Sequence, residues 1–145
     1  MKNIILNSEN ISDEQVKSAL EESLSELKKD LKKVLLLPPD FTRCHSQAGK
    51  ITAMYYDILK DSCQVDIMPA VGTHMAMSDE EIDKMFGEEI PKERFIVHDW
   101  RNDIVKIGEV PGSYINEISE GLLDFTIDVE VNHRIVNSEY DLIIS

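Results

Sequence analysis

Four consecutive apolar residues, Val34-Leu35-Leu36-Leu37, run directly into Pro38-Pro39, and this junction constrains the fold more than any other stretch. A short unbroken apolar run reads as a strand covered on both faces, as in a parallel sheet. The prolines end it, because proline cannot donate to a sheet ladder. A carboxylate, a hydroxyl, a guanidinium, a thiol and an imidazole then crowd together at Asp40, Thr42, Arg43, Cys44 and His45. Gly49 opens a helix whose apolar positions Ile51, Met54, Tyr55, Ile58 and Leu59 recur at core-facing spacing. Val65 to Met68 reads as a second strand. Strand, helix, strand at this separation implies a right-handed crossover between parallel neighbours.

In an open parallel sheet, ligands sit outside the carboxyl ends of the strands. Asp40, Thr42 and Arg43 fall there after the first strand. Pro69-Ala70-Val71-Gly72-Thr73-His74-Met75 takes the same place after the second. Two polar clusters are therefore predicted to meet on one edge of the sheet.

The flanking segments fit the same architecture. Ser12 with Gln15 forms a capping box, and Asp13 and Glu14 suit the positive end of a helix. Val16, Leu20, Leu24, Leu27 and Leu31 make one stripe, with Lys28, Lys29, Lys32 and Lys33 at its far end. Ser78 with Glu81 is a second capping box, starting a short helix that Gly87 ends. Phe95 to His98 reads as a third strand, and Ile104 to Ile107 as another before a Pro111-Gly112 turn. Phe125, Ile127, Val129 and Val131 alternate with polar residues, the pattern of a half-exposed strand. Tyr140 to Ser145 reads as a final apolar strand. The predicted class is α/β: a Rossmann-like, mostly parallel sheet with flanking helices. Residues 1–145 are expected to form a single α/β domain, and a truncated one, because a domain rarely ends on a buried strand with no crossover behind it.

A chain of 145 residues can bury a substantial core, and 30% charged with 42% hydrophobic residues fits a globular protein. The net charge of −13 argues against nucleic acid and anionic membranes as partners. No apolar run approaches a membrane span, and the amino-terminal one is too short for a signal peptide. Cys44 and Cys63 lack metal or redox spacing and read as free thiols of a reducing, cytoplasmic setting. The glycines spell neither a P-loop nor G-x-G-x-x-G.

Arg43 offers a rigid fork of donors that matches a carboxylate or phosphate. Its bland alternative is a structural ion pair with Asp40 or a helix acid. His74 could serve as a general base, since imidazole titrates near neutral pH, with Gly72 letting a ligand approach the backbone. The alternative is a loop histidine capping the next helix. Asp40 could orient a base or a ligand hydroxyl, or simply cap a turn. His45, His98 and His133 show no metal-ligand spacing, and no metal site is expected.

Pro39-Asp40-Phe41-Thr42-Arg43, Val71-Gly72-Thr73-His74 with the following residues to Ile82, and Val97-His98-Asp99-Trp100 together resemble the amino-terminal part of the lactate racemase family. Glu130-Val131-Asn132 and Tyr140 to Ser145 extend the likeness. The D-x-T-R and G-T-H signatures are specific in combination and weak apart. Met75 stands where the family often has arginine, and Phe41 and Cys44-His45-Ser46 also depart from its commoner residues.

The resemblance implies a two-domain enzyme that inverts a 2-hydroxy acid by hydride and proton transfer, using a nickel-pincer nucleotide. It implies that His74 is one of two proton-exchanging histidines. Asp40, Thr42 and Arg43, with Gly72 and Thr73, would contact substrate or cofactor. The second histidine, the cofactor-tethering lysine and the nickel-binding histidine are expected downstream, in the missing carboxyl-terminal domain. This stretch alone is expected to hold no cofactor and to be inactive. A different class also accounts for the residues: a non-catalytic anion- or nucleotide-binding α/β module built on Arg43 and the Gly72 loop.

Overall fold

A computed structural model describes residues 2–27 and 31–145. The chain divides into two compact units, residues 1–98 with 140–145, and Asp99–Glu139.

The first unit is α/β, as predicted. Helix α1 (Asp13–Leu24) begins at the Ser12–Gln15 capping box. Strand β1 (Lys33–Leu36), a 3-10 turn (Phe41–Ser46), helix α2 (Ala48–Leu59) and strand β2 (Gln64–Ile67) follow, then helix α3 (Asp79–Phe86). Strand β5 (Leu142–Ile144) completes a parallel sheet of order β2-β1-β5. Both neighbours are in register with β1: Leu35 lies opposite Asp66 on one side and Ile143 on the other.

Strand β1 is central because it is apolar on both faces, and Val34, Leu35 and Leu36 are all buried. Successive strand side chains point to opposite faces. Val34, Leu36, Val65 and Ile67 join Leu24, Ile58, Leu59, Ile82, Met85 and Phe86 from α1, α2 and α3 in one core cluster. Leu35 and Asp66 lie on the other face. There the buried Asp66 carboxyl group accepts hydrogen bonds from the Tyr140 hydroxyl (3.0 Å) and Gln64 Nε2 (2.9 Å). Lys33 and Arg94 lie 3.9 and 3.6 Å from its oxygens.

Three expectations are corrected. Of the stripe from Val16 to Leu31, α1 takes in the positions up to Leu24, and Leu27 closes a turn onto the Leu24 carbonyl. Ser23, whose hydroxyl donates to the Leu20 carbonyl at 2.7 Å, competes locally with the helix ladder. Lys28 and Lys29 lie outside the described residues, and Lys33 belongs to β1. Phe95 to His98 does not make a third strand. It forms one parallel bridge, Ile67 with Phe95, and Ile96 donates to the Ile67 carbonyl. Phe95 then packs on the Phe86 ring, 5.2 Å between centroids, while Val97 is exposed and leaves the ladder. Finally, Pro111-Gly112 is the start of a helix and not a turn: Pro111 stands at the N-cap and Gly112 is the first helical residue.

That helix belongs to the second unit: strand β3 (Ile104–Val110), helix α4 (Gly112–Ile118), strand β4 (Ile127–Asn132) and the short helix α5 (His133–Val136). Strands β3 and β4 pair antiparallel, with an irregularity between Lys106 and Gly108. Lys106 bonds both Glu109 (2.8 Å) and Asp128 (2.7 Å), so one face of this ribbon is charged.

Candidate functional site

The carboxyl ends of β1 and β2 are held together beyond the strands themselves. Met68 donates to the Leu36 carbonyl and Ala70 to the Pro38 carbonyl, and Pro39 and Ala70 form a parallel bridge. Proline ends the donating pattern of β1, but the Pro38 carbonyl can still accept. This one extra rung brings Asp40 alongside the turn that carries His74.

That turn is tight. His74 donates its amide to the Val71 carbonyl at 2.9 Å, and Gly72 stands at φ +57°, a left-handed conformation that glycine adopts at little cost. The imidazole of His74 is thereby carried to the carboxylate of Asp40, with Nδ1 2.7 Å from Oδ2. The other carboxylate oxygen, Oδ1, accepts the Thr42 amide (3.1 Å) and the Thr42 hydroxyl (2.5 Å). Asp40 also caps the 3-10 turn, so the capping alternative holds at the same time as the His74 contact.

Burial and exposure divide the pair. Asp40 is 8% exposed, whereas the His74 side chain is 63% exposed. The Thr42 hydroxyl, then the His74 ring, hold the Asp40 carboxyl below its ordinary value, against the opposing effect of burial. Asp40 is therefore a carboxylate at neutral pH and can only accept hydrogen bonds. The neutral imidazole must then carry its proton on Nδ1, leaving the Nε2 lone pair unengaged by Asp40.

Arg43 donates from Nη1 to the Thr42 hydroxyl oxygen at 3.3 Å and forms no ion pair among the described residues. It is exposed, and neither Asp40 nor a helix acid pairs with it among the described residues. A cleft of about 330 Å³ is lined by Asp40, Phe41, Thr42, His74, Met75, Ala76, Met77 and Glu81. Asp40, Thr42 and His74 thus share one cleft, while Arg43 borders it through Thr42. Gly72 and Thr73 are exposed on the adjoining turn, and a Cβ built on Gly72 meets nothing within 4 Å.

Phe41, Met77 and Glu81 also line the cleft, although no sequence motif marks them as site residues. Met75 and Glu81 lie one and seven positions past His74, and only the cap that starts α3 folds them back to the cleft. Cys44 and His45 are exposed on the 3-10 turn, and Cys44 is a free thiol. His133 places Nδ1 3.1 Å from the Asp103 carbonyl. Among the described residues, no group of three or more His, Cys, Asp or Glu side chains is placed to hold a metal ion, and no helix is long and apolar enough to cross a membrane.

A parallel α/β sheet whose successive strand ends join an aspartate to a histidine defines the class: an α/β domain with a cleft at its strand ends. Comparison with known proteins goes further. Residues 2–145 match the lactate racemase N-terminal domain family, and the chain belongs to it. A Thermotoga maritima protein of known crystal structure superposes with a TM-score of 0.78 at 27% identity, over 96% of this chain and 34% of its own. The chain therefore spans about a third of that protein's length. No curated protein gives a significant match.

Proposed function

We propose that this chain is the amino-terminal domain of a 2-hydroxyacid racemase or epimerase, with His74 as the proton-exchanging base for one face of the substrate. The observation that carries the reading is the 2.7 Å contact between His74 Nδ1 and Asp40 Oδ2 at the joined ends of β1 and β2. Oxidising a 2-hydroxy acid at C2 requires a base for the hydroxyl proton, and reversing the step on the other face requires an acid. Nε2 of His74, facing away from Asp40, accepts the hydroxyl proton. Asp40 orients the ring and stabilises the imidazolium that results. The Thr42 hydroxyl keeps Asp40 ionised for that task. Arg43 binds the substrate carboxylate, where its planar fork fixes the acid while the centre inverts.

The nickel-pincer nucleotide of the family would supply the hydride acceptor and donor at C2. The donor set here fits the border of such a cofactor rather than its metal. Among the described residues no three metal-ligating side chains come together, whereas the open side of Gly72, with Thr73 next to it, leaves room for a nucleotide to approach. Nickel ligands would come from other parts of a longer protein.

The test is His74→Ala in the full-length, cofactor-loaded enzyme, with racemisation of a 2-hydroxy acid followed by chiral chromatography. Net inversion needs a proton-exchanging group on each face, so it should collapse from either enantiomer. A rate close to wild type would make His74 a loop residue and end this reading. It also separates the runner-up: an anion- or nucleotide-binding module needs Arg43 but has no use for an ionised Asp40 behind His74.

A further inference from the structure

Resting on that reading, we infer that the acid this cleft takes carries a bulky, uncharged apolar group at C2, branched aliphatic or aromatic, in place of the methyl of lactate. The cleft has two unlike walls. Asp40, Thr42 and His74 form a polar one; Phe41, Met75, Ala76 and Met77 form an apolar one. With the hydroxyl at His74, the carboxylate at Arg43 and the C2 hydrogen left for the hydride acceptor, the one remaining substituent is the group that meets the second wall.

The polar wall has no donor to spare. The Thr42 hydroxyl donates to Asp40, and His74 Nδ1 is bound to the same carboxylate. Glu81 offers only acceptor oxygens, one of them already taken by the Ser78 amide at 2.9 Å. A polar group at C2 would lose water and find no spare side-chain donor among Asp40, Thr42 and Glu81 to replace it. A second carboxylate would face both Asp40 and Glu81, which repel it.

The apolar wall has surface to cover. Met75 follows His74 directly and is 89% exposed, and Phe41 and Met77 are half-buried. Thioether side chains adapt to varied apolar shapes. Lys84 lies over the Phe41 ring, 5.4 Å from its centroid, and holds the ring in place from the α3 side. This domain's side of the cleft, about 330 Å³, has room for a group larger than the methyl of lactate. Each further methylene buried against this wall is worth roughly fourfold in affinity.

The experiment compares kcat/KM of the full-length holoenzyme for 2-hydroxy-4-methylpentanoate, phenyllactate, lactate and malate. The first two should exceed the last two by at least tenfold. Met75→Ala should narrow that ratio, chiefly through KM for the bulky acids; Met75 is so exposed that its truncation does not threaten folding. Phe41→Leu should narrow it as well. Equal or better turnover of lactate or malate overturns the inference, as does an unchanged ratio in both variants. If lactate or malate is preferred and His74→Ala is still inactive, the racemase reading stands and this one falls. If none of the four acids is inverted, both fall.

Discussion

Asp40 sits at the meeting point of two demands that usually compete. It caps the 3-10 turn through Thr42, and it holds the ring of His74. Both work through the ionised carboxyl, which explains why a nearly buried carboxyl keeps a depressed pKa instead of the raised one that burial alone would give. The depressed value makes its stabilising effect pH-dependent. The contribution is complete above the unfolded carboxyl value of about 3.9 and is lost as pH falls through the lower folded value. Thr42→Val keeps the shape and removes the hydroxyl donor. A hydrogen bond to a charged group is worth about 1.5–3 kcal/mol, and the exposure of Thr42 puts this one at the lower end. Urea unfolding at pH 7 should show that deficit, and the two proteins should converge as the pH is lowered below the folded value. A deficit that stays constant through the acid range would mean that the lost packing, not the bond to Asp40, sets the cost.

Helices α2 and α3 approach at a point that only glycine allows. A Cβ on Gly49 would lie 2.1 Å from the Met85 carbonyl oxygen and 2.7 Å from its Cγ, and the carbonyl is backbone that cannot swing aside. Gly49→Ala gains at most about 1 kcal/mol of helix propensity. Overpacking costs about 1–3 kcal/mol or more, so the variant should be less stable by urea or thermal unfolding. A neutral or stabilising result would show that α3 can shift without loss. The sequence shows Gly49 at the start of a helix but not this contact, because the partner lies in another element. The same division runs through the fold. Strands β1 and β2, helix α2, both capping boxes and the strand-end placement of Asp40 and His74 are legible, since apolar runs, prolines and cap residues act within a few positions. The end of α1 was missed because the leucine stripe continues to Leu31, which is buried although α1 stops at Leu24. The false third strand has apolar residues without a ladder to join beyond one bridge. Helix α4 was read as a turn because Pro-Gly suits both: proline also precedes a helix well. Residues far from the motif, such as Met77 and Glu81, join the cleft only through the path of the chain.

At the scale of the whole chain, the sheet depends on a strand that arrives late. Forty-one residues, Asp99–Glu139, form their own unit before the chain returns to complete β2-β1-β5. The return is fixed at its first two residues. The Tyr140 hydroxyl donates to Asp66, and the Asp141 carboxylate accepts the amides of Lys32 and Lys33, each at 2.8 Å. Those amides hold the Asp141 carboxyl below its ordinary value, so this clamp is complete near neutral pH and weakens in acid. The sequence carries a sign of the arrangement in Asp66, a lone charge inside the apolar strand Gln64–Ile67. Two changes of different size follow. Tyr140→Phe keeps the ring, over which Lys33 lies 4.5 Å from the centroid, and removes one of the donors to a buried carboxyl. Gln64, Lys33 and Arg94 remain, so the loss should be about 1–3 kcal/mol with unfolding still cooperative. Ending the chain after Glu139 removes Tyr140, Leu142, Ile143 and Ile144 and turns β1 into an edge. Leu142, Ile143 and Ile144 are half-buried, so each gives less than the roughly 1.5–3 kcal/mol of a fully buried large apolar side chain. With Tyr140, the Asp141 clamp and the newly exposed β1, the loss is still a large part of a domain's stability of about 5–15 kcal/mol. Thermal unfolding followed by circular dichroism should show a lowered but sharp transition for Tyr140→Phe. The shortened chain should show none, and should bind the apolar dye ANS at room temperature. A sharp wild-type-like transition in the shortened chain would mean that β1 and β2 with their helices form a complete core, and that β5 is an accessory to the fold.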